Sequence, residues 1–197
     1  MALLDRIRST KRDYSKYLFH FTKPQPVWDN PNDFIGRRRI GTTSAFDILK
    51  GTLTDGHLRG RAVLANEVCV CFSETSLEEI LWLMSLPEWD HNRYTYYGVC
   101  VPKDWAYRYG GRPVIYQHAD ERPHLNASNM FRHNRFEPTG DIDFSWEREW
   151  RVKIDVLNLD PEITTAVCLK PSEAHEIMRT PLGNNTWKAT SVELLVR

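Results

Sequence analysis

Short β-prone runs account for most of the regular structure that this sequence predicts, and they constrain its fold more than any other feature. Runs rich in aromatic and β-branched residues are typical of strands. They lie at Tyr17–Phe21, Glu67–Phe72, Tyr94–Val101, Arg112–Gln117, Arg148–Val156, Thr164–Leu169 and Ser191–Val196. The runs do not alternate regularly with helices, and no Gly-rich turn follows the first run. This argues against a doubly wound dinucleotide-binding fold and predicts an α+β fold with a mixed or antiparallel sheet.

Capping and stop signals predict where the helices lie. Ser44 is the expected N-cap of a helix that stops at Gly51, a residue suited to the left-handed conformation. Ser76 opens a second helix through a capping box, and Pro87 closes it. A third helix is expected from Pro171 to Met178, and a short amphipathic one from Leu3 to Ser9.

The remaining segments predict loops. Pro24 and Pro26 are expected to end the first strand, because a proline supplies no N–H to a ladder. The loop that follows them contains the three adjacent arginines 37–39. Residues 118–143 predict a long irregular loop with one helical turn near Asn129. Loops of this length in compact domains are often functional.

Length and composition set the broad class. The 197 residues predict one domain over 1–197. Lys plus Arg and Asp plus Glu are 26 each, and a net charge of zero weakens the case for strong non-specific nucleic-acid binding. No run of about 18 apolar residues and no signal-peptide core occur, so a cytoplasmic protein with no membrane partner is expected. The four cysteines are expected to be reduced and buried.

Two places where polar residues adjoin apolar strands are candidates for ligand binding. His20 lies in the first apolar run, and an imidazole there needs partners for its ring nitrogens. Thr22, two residues on, points the same way. Ser73 and Thr75 follow the second run. Each has a structural alternative: a histidine satisfied within the fold, a turn at Ser73, and a helix cap at Ser76.

The segment 146–151 carries two carboxylates at i and i+2, Glu147 and Glu149. In an extended segment both project on one side. Two like charges this close need a positive group between them. A cationic substrate group or an oxocarbenium-like transition state would supply it, and in the structural alternative Arg148 or Arg151 does.

Several sequence blocks occur in an order that resembles AbiGi-type abortive phage-resistance proteins and, more distantly, DarT-type toxins and other ADP-ribosyltransferases. They are YLFHFT at 17–22, ILKGTL at 48–53, VCVCFSETSL at 68–77, YGVCVPKDW at 97–105, GGRPVIY at 110–116 and WEREWRV at 146–152. The resemblance implies an ADP-ribosyltransferase-like split β-sheet flanked by a few helices. It also implies an NAD-dependent transferase that acts as a bacterial toxin or phage-defence effector, with a cognate antitoxin as a candidate partner.

The resemblance also assigns residue roles, with three strand positions making an NAD pocket. It implies that His20 contacts the adenosine ribose and the nicotinamide region, that Ser73 with Thr75 occupies the second strand end, and that Glu149 is catalytic. Glu147 would orient the nucleophile or act as general base. The further candidates are Thr22 and Tyr116 for the cofactor, with Tyr94, Tyr96 and Tyr97 as other aromatic residues for stacking on nicotinamide, and Arg59 and Arg61 for the substrate.

The expected chemistry is cleavage of the nicotinamide–ribose bond. A carboxylate hydrogen-bonded to the ribose 2′-hydroxyl stabilises the positive charge that develops on the ribose. The acceptor is expected to be a macromolecule. RNA and DNA are candidates, because aromatic and guanidinium planes stack on unpaired bases.

Other functions stay open from the residues alone. They are a non-catalytic binding or antitoxin-like module on the same fold, an NAD glycohydrolase, and a metal nuclease. His118, His124 and His133 are the only cluster that a nuclease would use, and no metal site is expected.

Overall fold

The computed structural model describes residues 15–28, 38–64, 67–86, 94–140 and 142–195. The strands are β1 (Tyr17–Phe21), β2 (Gln25–Trp28), β3 (Arg39–Thr43), β4 (His57–Arg59), β5 (Arg61–Leu64), β6 (Glu67–Ser73), β7 (Gly98–Pro102), β8 (Arg112–Pro113), β9 (Ile115–Gln117), β10 (His133–Arg135), β11 (Glu149–Val152), β12 (Val156–Asn158), β13 (Thr165–Cys168) and β14 (Lys188–Ser191). The α-helices are α1 (Ala45–Asp55), α2 (Leu77–Ser85), α3 (Lys103–Arg108), α4 (Pro171–Arg179) and α5 (Val192–Leu195). Short 3-10 helices lie at Ala119–His124, Ala127–Arg132, Pro138–Gly140 and Ser145–Glu147.

The described residues form two compact units. The first unit comprises the described parts of Met1–His20, His57–Ile80 and Cys100–Leu159. The second comprises those of Phe21–Gly56, Leu81–Val99 and Asp160–Arg197. The expectation of one domain over 1–197 stays a prediction.

Strand β6 organises the first unit. It pairs antiparallel with β1, β5 and β11, and β11 pairs antiparallel with β8. The strand order in this part of the sheet is β1-β6-β11-β8. All four residues of β11 are buried. Two further pairs belong to this unit, antiparallel β4–β12 and parallel β9–β10.

The first unit packs an apolar core onto this sheet. Its fully buried side chains include Leu18, Val70, Val152 and Leu157. At Gly111 an added Cβ would lie 2.6 Å from the carbonyl oxygen of Ala106, so only glycine fits where α3 meets the following strand. The core therefore covers both faces of β11, and in β6 it buries Cys69, Val70 and Phe72.

The second unit combines helices with two short strand pairs. β2 pairs antiparallel with β3, and β13 pairs parallel with β14. Helix α1 buries Leu49 and Leu53, and helix α4 buries Ala174 and Ile177. These contacts follow the i, i+3 and i+4 spacing of an amphipathic helix.

Taken together, the pairs confirm the expected α+β class in its coarse form: a mostly antiparallel arrangement with several helices. The N-cap at Ser44 is confirmed, because its hydroxyl accepts from the backbone N–H of Asp47 at 3.1 Å. The N-cap half of the predicted capping box at Ser76 is also confirmed, because its hydroxyl accepts from the backbone N–H of Glu79 at 3.3 Å. The helix that begins at Pro171 is confirmed as α4.

The predicted stop at Gly51 is wrong. Helix α1 continues to Asp55, and Gly56 is the left-handed C-cap with φ 68°. A glycine inside a helix costs only about 1 kcal/mol relative to alanine, which burial of Leu53 in the next turn readily offsets. Packing of α1 therefore overrides the local stop signal.

Several strand boundaries also differ from the prediction. Gln25–Trp28 is a strand despite Pro26, and the ribbon that it makes with β3 includes Arg39 from the predicted loop. Only Gly98–Pro102 of the run 94–101 is a strand, and Arg112–Gln117 is divided into β8 and β9 at Val114. The segment 148–156 is divided into β11 and β12. The predicted final strand is wrong, because the chain turns helical at Val192 after β14.

The predicted helical turn near Asn129 is confirmed as the 3-10 helix Ala127–Arg132. The segment around it is more ordered than expected, since it also contains β10. Leu3–Ser9, Arg37 and Pro87 lie outside the described residues. No helix among the residues described is long and apolar enough to cross a membrane.

Candidate active site

Ser73 and Glu149 lie directly opposite each other where β6 ends and β11 begins. They are Cα partners in the antiparallel ladder, and Phe19 of β1 is the partner of Ser73 on the other side. Residues directly opposite one another project on the same face of a sheet. The end of β6 therefore presents Ser73 and Glu149 together on one face.

The Glu149 carboxylate is buried, with 8% of the residue exposed, and it is held by three side-chain donors. Arg151 donates from Nε to Oε1 at 2.8 Å and from Nη2 to Oε2 at 3.0 Å. Asn134 donates from Nδ2 to Oε2 at 2.9 Å. Of the two arginines that the sequence offered as the compensating cation, Arg151 occupies this place. It is two residues on in the same strand and hence on the same face.

The guanidinium of Arg151 is itself held by backbone carbonyls, one from the 3-10 helix before β10 and one from β10. Its Nη1 donates to the carbonyl oxygens of Phe131 at 3.0 Å and His133 at 2.7 Å. A buried ion pair is stable only when its remaining hydrogen-bonding groups are also satisfied, and these two carbonyls satisfy the arginine.

The turn before Glu149 contradicts the expectation that Glu147 and Glu149 project from one extended segment. Ser145–Glu147 is a turn of 3-10 helix, and Arg148 follows it in the left-handed region at φ 46°, ψ 50°. The alternation of side chains across a strand starts only at Glu149. The E-x-E pair is therefore not a two-residue repeat of one strand face.

Hydroxyls from the end of β6 hold this turn in place. Ser73 Oγ donates to the carbonyl oxygen of Glu147 at 2.6 Å, and Thr75 Oγ1 donates to that of Trp146 at 2.5 Å. The N–H of Glu74 donates to the carbonyl oxygen of Arg148 at 3.2 Å. Ser73 and Thr75, both predicted to bind a cofactor, thus lie next to Glu149 and fix the backbone that presents it.

Tyr116 reaches the same residue from β9. Its hydroxyl oxygen accepts a hydrogen bond from the backbone N–H of Glu149 at 3.0 Å. Burial raises the pKa of the Tyr116 phenol to about 12. The phenol is therefore a neutral positioning group at ordinary pH, and Tyr116 is the predicted aromatic residue that contacts Glu149.

The side chain of His20 reaches from β1 to the backbone of β6. Its Nδ1 lies 2.8 Å from the carbonyl oxygen of Cys71, and its ring meets the ring of Phe72 edge-on with centroids 5.9 Å apart. Because a carbonyl only accepts, Nδ1 carries the proton, and Nε2 is the acceptor in the neutral ring. Burial lowers the pKa of His20, and the positive charge of Arg61 lowers it further, so the neutral ring is favoured.

The strand register separates the His20 side chain from the Glu149 face. Phe19, not His20, is the residue opposite Ser73. By alternation, His20 projects toward the face that carries Phe72, the partner of Trp150. The two side chains therefore meet the sheet from opposite faces, and the role of His20 in NAD binding stays a prediction.

The remaining predicted site residues lie elsewhere in the chain. Arg59 ends β4, and Arg61 begins β5 opposite Cys69, so both lie in strands with exposed side chains and not in a solvated loop. Thr22 belongs to the second unit, where its buried hydroxyl donates to the carbonyl oxygens of Ala45 at 3.0 Å and Tyr97 at 3.1 Å. Their predicted binding roles stay predictions.

A second charged cluster, around Glu74, was not predicted. Its carboxylate contacts Lys103 Nζ at 2.5 Å, Arg148 Nη2 at 3.4 Å and Trp150 Nε1 at 2.6 Å. The cluster ties α3 to the ends of β6 and β11. Asn134 was also missed, because nothing in an irregular polar loop distinguishes one asparagine from its neighbours.

The cysteines are free thiols, and the histidines do not form a metal site within the described residues. All four cysteines are free, as expected for reduced thiols, and only Cys69 and Cys168 are fully buried. Burial, followed by the nearby charge of Glu149, raises the pKa of the Cys71 thiol. Among the residues that the structure covers, no three His, Cys, Asp or Glu side chains are placed to hold a metal ion.

Comparisons with known proteins add no relative. No family model matches the chain, and neither a curated protein nor a solved structure matches it.

Proposed function

We propose that this chain is an NAD-dependent ADP-ribosyltransferase with Glu149 as its catalytic carboxylate. The observation that carries the proposal is the adjacency of β1, β6 and β11, with Ser73 opposite Glu149. The sequence resemblance assigns the three parts of an NAD pocket to these strands. Residues 73 and 149 are far apart in sequence, so their facing positions are not a consequence of chain proximity. His20 lies on the strand next to β6, with its side chain on the other face of the sheet.

The pairing between β1 and β6 also fits a split sheet of the ADP-ribosyltransferase kind. Within the described strands the two pair at Phe19 and Ser73, and the ring of His20 bonds the Cys71 carbonyl beyond that point. A pairing of one Cα pair suits a sheet that splits between these two strands. The neutral Nε2 of His20 is suited to accept a hydrogen bond, on the face of the sheet opposite Glu149.

The proposed chemistry is substitution at the nicotinamide ribose. The bond between C1′ and the nicotinamide nitrogen breaks, and its electron pair leaves with nicotinamide. A nucleophile of the acceptor then bonds to C1′ and gives its proton to a base, the role proposed for Glu147. Glu149 stabilises the positive charge on the ribose, and its two hydrogen bonds from Arg151 orient the carboxylate.

Transfer is tested with labelled NAD and a cell extract, comparing the wild type with Glu149→Gln. We expect the wild type to release nicotinamide and leave label on a macromolecular fraction. Glu149→Gln should lower the rate at least about 10²-fold, the scale of one lost electrostatic group at a transition state. Separating protein, RNA and DNA fractions identifies the acceptor class.

Glu74→Gln is the matched control. It removes a carboxylate with 13% of its side chain exposed from the same strand end, but one whose contacts are with Lys103, Arg148 and Trp150. Both variants need melting curves that show a folded protein. If the wild type leaves NAD intact and labels no fraction, the proposal is wrong. If the transfer rate falls equally in both variants, Glu149 is not the catalytic carboxylate.

A toxin or phage-defence role follows from the same proposal. Expression of the wild type in bacteria should then arrest growth, and Glu149→Gln should relieve the arrest. If a folded Glu149→Gln protein arrests growth as strongly as the wild type does, toxicity does not depend on Glu149. A cognate antitoxin is the partner that such a toxin needs.

One observation favours a second candidate, a non-catalytic binding module. Both oxygens of Glu149 already accept hydrogen bonds from Arg151, as a purely structural carboxylate would. A module that does not bind NAD gains no stability from it, whereas a site filled at 100 times its Kd adds about 2.7 kcal/mol. Stabilisation by NAD together with release of free ADP-ribose and no labelled fraction would instead identify a glycohydrolase.

A further inference from the structure

We infer that Asn134 is a positioning residue for Glu149 in the proposed transfer, acting through the hydrogen bond from its side-chain amide to the carboxylate. The inference rests on the proposed function and adds to it a residue of β10. The bond from Asn134 Nδ2 to Glu149 Oε2 is 2.9 Å long.

A short parallel strand pair delivers this amide to the carboxylate. β10 pairs with β9 in a register that sets Asn134 opposite Tyr116. From these facing positions Tyr116 binds the backbone N–H of Glu149 and Asn134 binds its carboxylate. The β9–β10 pair thus holds both the backbone and the side chain of Glu149.

The same ladder also holds the arginine that pairs with Glu149. The carbonyl oxygen of His133, next to Asn134 in β10, accepts from Arg151 Nη1 at 2.7 Å. Arg151 and Asn134 both donate to Oε2 of Glu149, from a strand neighbour and from β10 respectively. Two donors from different directions restrict rotation of the carboxylate more than the bidentate arginine does alone.

The chemistry of an amide suits this place. Its N–H stabilises a carboxylate without adding a second positive charge to that of Arg151. An oriented carboxylate that keeps its negative charge is what a developing positive charge on the ribose requires. Hydrogen bonds to charged groups are among the stronger ones in proteins, so loss of this bond has a measurable effect.

The experiment compares steady-state NAD turnover in the wild type, Asn134→Ala and Asn134→Asp, with Asn129→Ala as control. Asn129 lies in the 3-10 helix before β10, and its side-chain oxygen accepts from Arg132 Nη1 at 3.3 Å. We expect Asn134→Ala to lower kcat about 10-fold, the size of one hydrogen bond to a charged group, with the KM for NAD nearly unchanged. Asn129→Ala should retain the wild-type kcat.

Asn134→Asp is the variant that separates positioning from a merely structural role. It nearly preserves shape but sets a second carboxyl group 2.9 Å from Oε2 of Glu149. Two carboxylates that close do not both ionise readily, so the acid limb of the pH–kcat profile should move to higher pH. It also carries the test if Asn134→Ala fails to fold.

The outcomes are distinguishable. Turnover by the wild type with a lowered kcat in Asn134→Ala and a displaced acid limb in Asn134→Asp supports the inference. Turnover by the wild type with the same kcat and pH profile in folded Asn134 variants overturns it and leaves the proposed function standing. A folded wild type that does not consume NAD overturns the proposed function, and the inference with it.

Discussion

At the residue scale, the defining feature is an ion pair between neighbours on one strand face. Glu149 and Arg151 have 10% and 7% of their side chains exposed. Their spacing of two is visible in the sequence, and the period of a strand places both on one face. Their burial is not visible there, because charged residues are rarely buried unless they are paired.

Breaking this pair from one side should cost more than removing it whole. Arg151→Met leaves the Glu149 charge buried without its guanidinium, and we expect the free energy of unfolding to fall by about 3–5 kcal/mol. The double variant Glu149→Gln with Arg151→Met removes that charge and should lose less. Urea denaturation of the wild type, the two single variants and the double variant measures these values. A double variant as unstable as the sum of its single changes would contradict the pairing.

His20 should make stability depend on pH. Burial lowers its pKa below the usual 6.5, so on acidification the unfolded chain takes up a proton before the folded one does. The stability that the neutral ring contributes is therefore present above about pH 6.5 and is lost as the pH falls through the folded-state pKa. Urea midpoints measured across this range should fall less steeply in His20→Gln than in the wild type. Parallel curves would show that His20 takes no part.

At the element scale, helix α1 shows how packing overrides a local signal. Two glycines lie near its end, and the structure uses the second as the cap. Gly51 lies inside the helix with open space around its Cα, while Gly56 has φ 68°. Gly51 was the predicted stop, and the burial of Leu53 beyond it carries the helix on to Gly56.

The two glycines should therefore respond to alanine in opposite directions. Gly51→Ala should stabilise the protein by about 0.5–1 kcal/mol, because alanine is the better helix former and nothing obstructs its Cβ. Gly56→Ala should destabilise it by about 1 kcal/mol, because the left-handed conformation strains a residue with a Cβ. Thermal denaturation of the pair checks the signs. A stabilising Gly56→Ala would contradict the cap.

The turn at 145–148 was not predicted from the sequence. Tight turns usually carry Gly, Asn, Asp or Pro, and this one ends on Arg148 in the left-handed region. Long-range hydrogen bonds from Ser73 and Thr75 hold it there. The prediction that Glu147 and Glu149 lie on one strand face was therefore wrong. The hydrogen bonds that hold the turn come from residues more than 70 positions away in the sequence.

At the scale of the whole molecule, a chain with no net charge has two charged clusters at the same end of β6, among the residues that the structure describes. Glu149 with Arg151 and Glu74 with Lys103 both lie in the first unit, at the end of β6. Overall composition carries no trace of this arrangement. The second unit instead buries single hydroxyls such as that of Thr22 in bonds to backbone carbonyls.

The sequence by itself determined the local elements and the candidate residues. Apolar runs and caps foretold β1, β6, β13 and the start of α1, because short-range sterics and hydrogen bonds act within a few residues. Only the tertiary structure decided that Ser73 faces Glu149, that Arg151 and not Arg148 neutralises it, and that Asn134 reaches its carboxylate. Those contacts join residues of different strands, or residues of one strand whose burial depends on its neighbours. Their free energy depends on strand order and register, which no local pattern encodes.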